Sequence, residues 1–110
     1  PAAMSPRRAR PATAAGPHPS SLELRCFPNP FNPATTIEYA LPATGRIVIR
    51  VYDAGGALVK TLANETQPRG THRMAWDGRN QSGDRVASGV YLLRVESAGH
   101  SMTRKITLLK

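Results

Sequence analysis

The chain has 110 residues, which is room for one domain with one hydrophobic core. Its 15 basic residues face 7 acids for a formal net charge of +8. Three of the arginines, Arg7, Arg8 and Arg10, lie in the first twenty residues with no acid beside them, which leaves 12 bases against 7 acids, or +5, for the rest. One cysteine, Cys26, excludes an internal disulfide and a cysteine-only metal site. No apolar run is long enough for a membrane-spanning helix, and the N-terminus lacks the apolar middle section of an export signal.

Residues 1–20 are rich in Pro, Ala and Arg, and Met4 is their one large aliphatic side chain. Such a segment cannot bury enough surface to offset the entropy of ordering it, so it is expected to be a disordered linker, semi-extended by its prolines. Residues 21–110 are expected to be the folded domain. The start at Pro1 fits a piece of a longer polypeptide.

From Leu22 onward the apolar residues alternate with polar ones in short runs bounded by Gly, Pro, Asn or Asp, which is the pattern of half-buried strands. Leu22, Leu24 and Cys26 share one face of the first run. The segment Pro28-Asn29-Pro30-Phe31-Asn32-Pro33 cannot continue that strand, because proline has no N–H and restricts the residue before it; it should form a rigid, ordered turn. Ile37, Tyr39 and Leu41 define the next strand, and Ile47, Ile49 and Val51 the one after it. Asp53-Ala54-Gly55-Gly56 reverses the chain into a strand expected over residues 58–62. His72, Met74 and Trp76 line one face of a further strand, with Trp76 in the core. A polar loop follows from Asp77 to Asp84, and the last two strands, over residues 89–96 and 102–109, turn at Ala98-Gly99-His100. No segment has a helical period. The expected fold is all-β, a two-sheet sandwich of about seven strands.

The same residues offer no catalytic constellation. His18, His72 and His100 fall in the linker, on a strand and in a hairpin turn, without metal-ligand spacing. Cys26 reads as a small buried hydrophobe. The Asp77–Asp84 loop has Arg79 where a calcium loop needs an oxygen ligand, so turn chemistry is the better reading. Gly55-Gly56 lacks the pattern of a phosphate cradle, and the sequons at Asn64 and Asn80 matter only in a eukaryotic secretory pathway. The bases are scattered among apolar strand residues with no aromatic-studded patch, so any DNA binding is expected to be weak phosphate neutralisation and no specific nucleic acid is implied. The chain is therefore read as a non-enzyme without a cofactor or metal.

Taken in order, Phe27-Pro28-Asn29-Pro30-Phe31-Asn32-Pro33, Thr35-Thr36-Ile37, Val51-Tyr52-Asp53, Gly70, Trp76-Asp77-Gly78, Gly83, Val86-Ala87-Ser88-Gly89-Val90-Tyr91 and Lys105-Ile106-Thr107-Leu108-Leu109-Lys110 resemble the C-terminal sorting domain of type IX secretion cargo. They look equally like the immunoglobulin-like domain of flagellar hook-capping proteins, to which those sorting domains are related. The resemblance covers about residues 22–110. It implies a seven-stranded immunoglobulin-like sandwich at the end of a larger exported bacterial protein, behind an upstream cargo domain. Its implied partners are an outer-membrane translocon and the sorting peptidase machinery. The implied location is the periplasm in transit, then the medium or the cell surface.

Residue by residue, the resemblance assigns Pro28, Asn29 and Pro30 to the opening motif, Gly89 and Tyr91 to the middle one, and Lys105, Leu108, Leu109 and Lys110 to the terminal one. Each also has a physical reading. The prolines stiffen a turn, Gly89 permits an unusual backbone or a close approach, and Tyr91 offers a ring to the core and a hydroxyl to a partner. The terminal strand is expected to be an edge, open to pairing with a receptor. A structural role as in hook capping is the first alternative, and a carbohydrate- or surface-binding module the second; the latter is disfavoured by the chain's 1 Trp, 3 Tyr and 2 Phe, most of which fall at core positions.

Overall fold

The computed structural model describes residues 21–110, so the linker expected over residues 1–20 lies outside the described residues. Seven strands run in chain order: β1 (Glu23–Phe27), β2 (Thr35–Leu41), β3 (Gly45–Asp53), β4 (Leu58–Gln67), β5 (Gly70–Trp76), β6 (Gly89–Ser97) and β7 (His100–Leu108). They form two antiparallel sheets with the orders β1-β2-β5 and β4-β3-β6-β7. This is the two-sheet sandwich of about seven strands expected from the alternation of apolar residues, in the immunoglobulin-like form that the resemblance implies. β4 runs to Gln67, five residues beyond the expected end, because its polar second half pairs in unbroken register with residues 45–48 of β3; the two register shifts against β3 fall in its first half.

Strand alternation places the inner face. Ile37, Tyr39 and Leu41 from β2 meet Ile47, Ile49 and Val51 from β3, with Leu93 and Val95 of β6 and Ile106 and Leu108 of β7 closing the layer; all are buried. At one end of this core the aromatics gather. The Trp76 indole is fully buried, 5.5 Å between centroids from Phe31 and 5.3 Å from Tyr91, the latter edge-on. Edge-to-face and tilted contacts of this kind add to the area term. Burying the indole leaves its N–H in need of an acceptor, and the Arg79 carbonyl supplies one at 2.9 Å.

Tight turns join the strands as their residues demand. Asp53 Oδ1 accepts from the N–H groups of Gly55 and Ala57, and Gly56 takes φ of 91°. At the β6–β7 hairpin Ala98 and Gly99 both have positive φ, the requirement of a two-residue hairpin loop of this hand.

Trp76→Ala removes the ring on which Phe31 and Tyr91 both rest. The expected cost is about 3 to 5 kcal/mol, a large share of the roughly 5 to 15 kcal/mol that stabilises a domain of this size. Urea unfolding checks it, and native indole fluorescence should be that of a solvent-shielded ring.

Candidate functional site

The opening turn and the last strand are 76 residues apart in sequence, yet they form one unit. Asn29 presents its side-chain amide to β7 as a neighbouring strand presents a peptide: Nδ2 donates to the Lys105 carbonyl (2.9 Å) and Oδ1 accepts from the Thr107 N–H (3.0 Å). Two residues on, the backbone takes over. The Phe31 N–H donates to the Thr107 carbonyl and the Leu109 N–H donates to the Phe31 carbonyl, both at 2.9 Å, in a parallel bridge between Phe31 and Leu108. The turn itself is held by the buried Thr35 hydroxyl, which donates to the Pro28 carbonyl. The three Xaa-Pro bonds from Phe27 to Pro33 are cis.

The expectation of an open terminal edge is therefore corrected. β7 is indeed the edge strand of its sheet, but from Lys105 to Leu109 its outer hydrogen-bonding groups are taken by Asn29 and Phe31, because an edge left unpaired there would expose bare peptide groups. Arg104 adds a further tie across the open side of the sandwich, its Nε donating to the Leu24 carbonyl.

The remaining motif residues divide by burial. Leu108 is buried in the core, and Gly78 packs under it so closely that a Cβ would lie 3.2 Å from the Pro33 carbonyl oxygen. Tyr91 sits at the start of β6 with its ring on Trp76 and its hydroxyl donating to the Ala87 carbonyl four residues back. This is the tyrosine corner of immunoglobulin-like sandwiches, so the hydroxyl's partner is internal. Desolvation, and secondarily the Asp53 charge, push the Tyr91 phenol above its ordinary value. Gly89 has φ of 154° with no atom within 4 Å of a would-be Cβ, so its role is conformational and no close approach exists there. Pro28, Asn29, Pro30, Lys105 and Lys110 are exposed, as is Leu109, half of whose surface meets solvent. The Lys110 N–H donates to Ser88 Oγ, which fixes the backbone beyond the last strand. The nine residues thus form an internal set that closes the fold and an exposed set at one end of β7.

The Asp77–Asp84 loop turns its oxygens inward. Asn80 Oδ1 accepts from the N–H groups of Ser82 and Asp84, Asp77 Oδ1 accepts from the Arg79 N–H, and the Arg79 guanidinium donates to the Gly83 carbonyl. Among the described residues no group of three His, Cys, Asp or Glu side chains is placed to hold a metal. The loop also does something the sequence did not disclose: the Gln81 N–H donates to the Val59 carbonyl and Gln81 Oε1 accepts from the Thr61 N–H, which caps the edge of β4. Cys26 lies in the seam between β1 and β7, where burial, partly opposed by the Arg104 charge, raises its thiol from 9.0 to about 11. It is a thiol and not a thiolate at neutral pH. One aromatic does carry bases, since the guanidinium carbons of Arg25 and Arg73 lie 5.2 and 5.9 Å from the Phe27 ring centroid.

The fold and site define a class of protein, the immunoglobulin-like domain, here one whose sequence-marked residues build and close a sandwich. More particularly, the chain belongs to the FlgD Ig-like domain family, whose sequence pattern it matches over residues 33–101. That span includes Gly89 and Tyr91 but neither the Pro28–Pro30 motif nor the Lys105–Lys110 segment. Among solved structures the chain is similar to PorU from Porphyromonas gingivalis, with 25% identity and a TM-score of 0.66 over 80% of this chain and 9% of that one. It shares the fold of PorZ, a surface component of the type IX secretion system of the same organism, with 22% identity, a TM-score of 0.55, and 79% of this chain against 11% of that one. It also shares the fold of the hook-capping protein FlgD from Xanthomonas campestris, with 23% identity, a TM-score of 0.55, and 82% of this chain against 63% of that one. The chain therefore spans only a small part of PorU and PorZ and less than two thirds of that FlgD. No curated protein sequence matches it.

Two outcomes follow from the geometry. Asn29→Ala strands a donor at Thr107 and an acceptor at Lys105 and should destabilise the domain by about 1 to 2 kcal/mol, read by urea unfolding. Because Cys26 is raised in the folded state, the stability it contributes is fully present below pH 9.0 and is lost as pH rises through about 11. Iodoacetamide at pH 8 should accordingly alkylate the native protein far more slowly than the urea-unfolded chain.

Proposed function

We propose that this domain is a recognition module carried at the C-terminal end of a larger exported bacterial protein, read by the outer-membrane translocon and sorting machinery of type IX secretion. It passes through the periplasm and is delivered to the medium or the cell surface. The observation that supports this most is the joining of the two motifs outside the family span: Asn29 and Phe31 clamp β7, and the clamp presents Lys105, Leu109 and Lys110 as one ordered, exposed end. A receptor meeting that surface loses little conformational entropy on binding, because the strand is already fixed. Pro28, Asn29, Pro30, Gly89, Tyr91 and Leu108 act by building the surface, and Lys105, Leu109 and Lys110 by touching the receptor.

A structural, assembly role as in hook capping is the second reading, and membership of the FlgD Ig-like family favours it. The two separate in one experiment. The 110-residue chain fused behind a periplasmic reporter in a type IX-competent host is expected to carry the reporter to the surface or medium. Leu109→Asp combined with Lys110→Glu, at exposed positions that leave the core intact, should strand it in the periplasm, whereas the fold-weakening Ile49→Ala should lower both soluble yield and export. A folded, unaltered domain that leaves its reporter in the periplasm contradicts sorting and favours the structural role.

A further inference from the structure

The outer face of an antiparallel sheet that meets water is normally polar, and half of the four-stranded sheet obeys this. Strand alternation and register put Thr61 and Asn64 of β4, Arg50 of β3, Arg94 and Glu96 of β6 and Thr103 of β7 on that half, with Val48 as its one apolar side chain. The other half is different. There the register sets Leu58 opposite Tyr52 and Tyr52 opposite Leu92, in one row across β4, β3 and β6. Val90 stands two residues from Leu92 on the same face, opposite Thr107, and Leu109 continues the outward side of β7 two residues beyond Thr107. Tyr52 and Leu92 are half-buried, whereas Leu58 is 54%, Val90 38% and Leu109 51% exposed. These three are the exposed large hydrophobic side chains among the described residues, and although far apart in sequence they meet in this band. Hydrophobic side chains exposed singly need no explanation, but a gathered band of them marks an interaction surface.

We infer that this band is the face by which the domain docks its protein receptor, and that the receptor presents an apolar patch edged with acidic side chains. At this end of the sheet both edges are already taken, β4 by Gln81 at Val59 and Thr61 and β7 by Asn29 and Phe31 from Lys105 to Leu109. A partner therefore cannot add a strand here and must meet the face. Charge decides what kind of partner that is. Residues 21–110 carry 12 bases against 7 acids, and Lys105, opposite Leu92, and Lys110, next to Leu109, border the band. Neither lysine has an ion pair among the described residues, and Glu96, the one acid that the register puts on this face, is engaged by Arg94 at 2.6 Å. A second copy of the chain packed face to face would set these bases against their own copies, whereas an acid-edged partner pairs with them while its apolar centre covers Leu58, Tyr52, Leu92 and Val90. The inference rests on the sorting reading, since Lys105 and Leu109 belong to both surfaces, and it widens the receptor contact to four residues outside the nine motif positions.

The test uses the 110-residue chain fused behind the periplasmic reporter in a type IX-competent host. Leu58→Glu combined with Val90→Glu replaces apolar contacts with charges that an acid-edged partner repels, and should lower the exported fraction at least about tenfold, the effect of losing an interface anchor. Thr71→Glu combined with Ala75→Glu makes the same change of charge at exposed positions on the other sheet and should leave export unchanged. Urea unfolding of each purified chain separates docking from folding. If the glutamates lower stability, the milder Leu58→Gln with Val90→Thr decides, and it too should lower export. Export of the band variants at the unaltered level, or an equal loss in the Thr71 and Ala75 variant, overturns this inference and leaves the sorting reading standing. An unaltered domain that leaves its reporter in the periplasm contradicts the sorting reading itself, and this inference with it. Co-sedimentation of the purified chain with phosphatidylglycerol but not phosphatidylcholine vesicles, lost in Leu58→Glu with Val90→Glu, assigns the band to a lipid surface and overturns the protein partner.

Discussion

Phe31 is the residue through which the ends of the domain are made one structure. Its ring is buried against Trp76, and its own N–H and C=O bracket β7 by bonding Thr107 and Leu109. The ring alone would anchor the opening turn to the core, and the backbone alone would lie on a strand edge exposed to competing water. Together they fix the turn in depth and in register, so that Asn29 reaches Lys105 and Thr107. The aromatic set then extends through Trp76 to Tyr91, and from Tyr91 through its hydroxyl to the corner that begins β6. Turn, core and both C-terminal strands share that one cluster.

The second organising constraint is the management of edges. The four-stranded sheet has two, β4 and β7: on β4 the Gln81 backbone N–H donates to the Val59 carbonyl and its side-chain Oε1 accepts from the Thr61 N–H, and on β7 the Asn29 side-chain amide both donates and accepts in place of a peptide group. An amide carries a donor and an acceptor at peptide-like spacing, so it can end a ladder without recruiting another strand. The ion pairs contribute little by comparison. Arg73–Glu38 and Arg79–Asp77 are separated by 3.6 and 3.7 Å with at least one partner well exposed, and such pairs gain little over hydration.

Local patterns in the sequence were enough to read the strands, because period-two alternation is a local property: Ile37, Tyr39 and Leu41 or Ile47, Ile49 and Val51 announce their face without reference to the rest of the chain. Turns were legible for the same reason, through Asp53 to Gly56 and Ala98-Gly99. Partners were not. Nothing near Asn29 tells which edge its amide will meet, and nothing near Gln81 tells that the polar loop lies on β4. The open edge expected for β7 failed on this point, since whether an edge is free depends on a contact 76 residues away in sequence. The bases looked scattered because their spacing was read along the chain, whereas Arg50 and Arg94 become neighbours only through the β3–β6 register. The burial of Trp76 and the ring of Tyr91 were legible, but the hydroxyl's acceptor, Ala87, belongs to the corner geometry.

The central claim is that the opening turn closes the last strand, and amide hydrogen exchange tests it at two atoms. In the 110-residue chain the N–H groups of Thr107 and Leu109 point away from β6, toward Asn29 and Phe31. The account predicts that both exchange slowly, with protection approaching that of core amides such as Ile49 and Leu93. Exchange at the rate of a fraying terminus, with the β6-facing amides of β7 still protected, would contradict it.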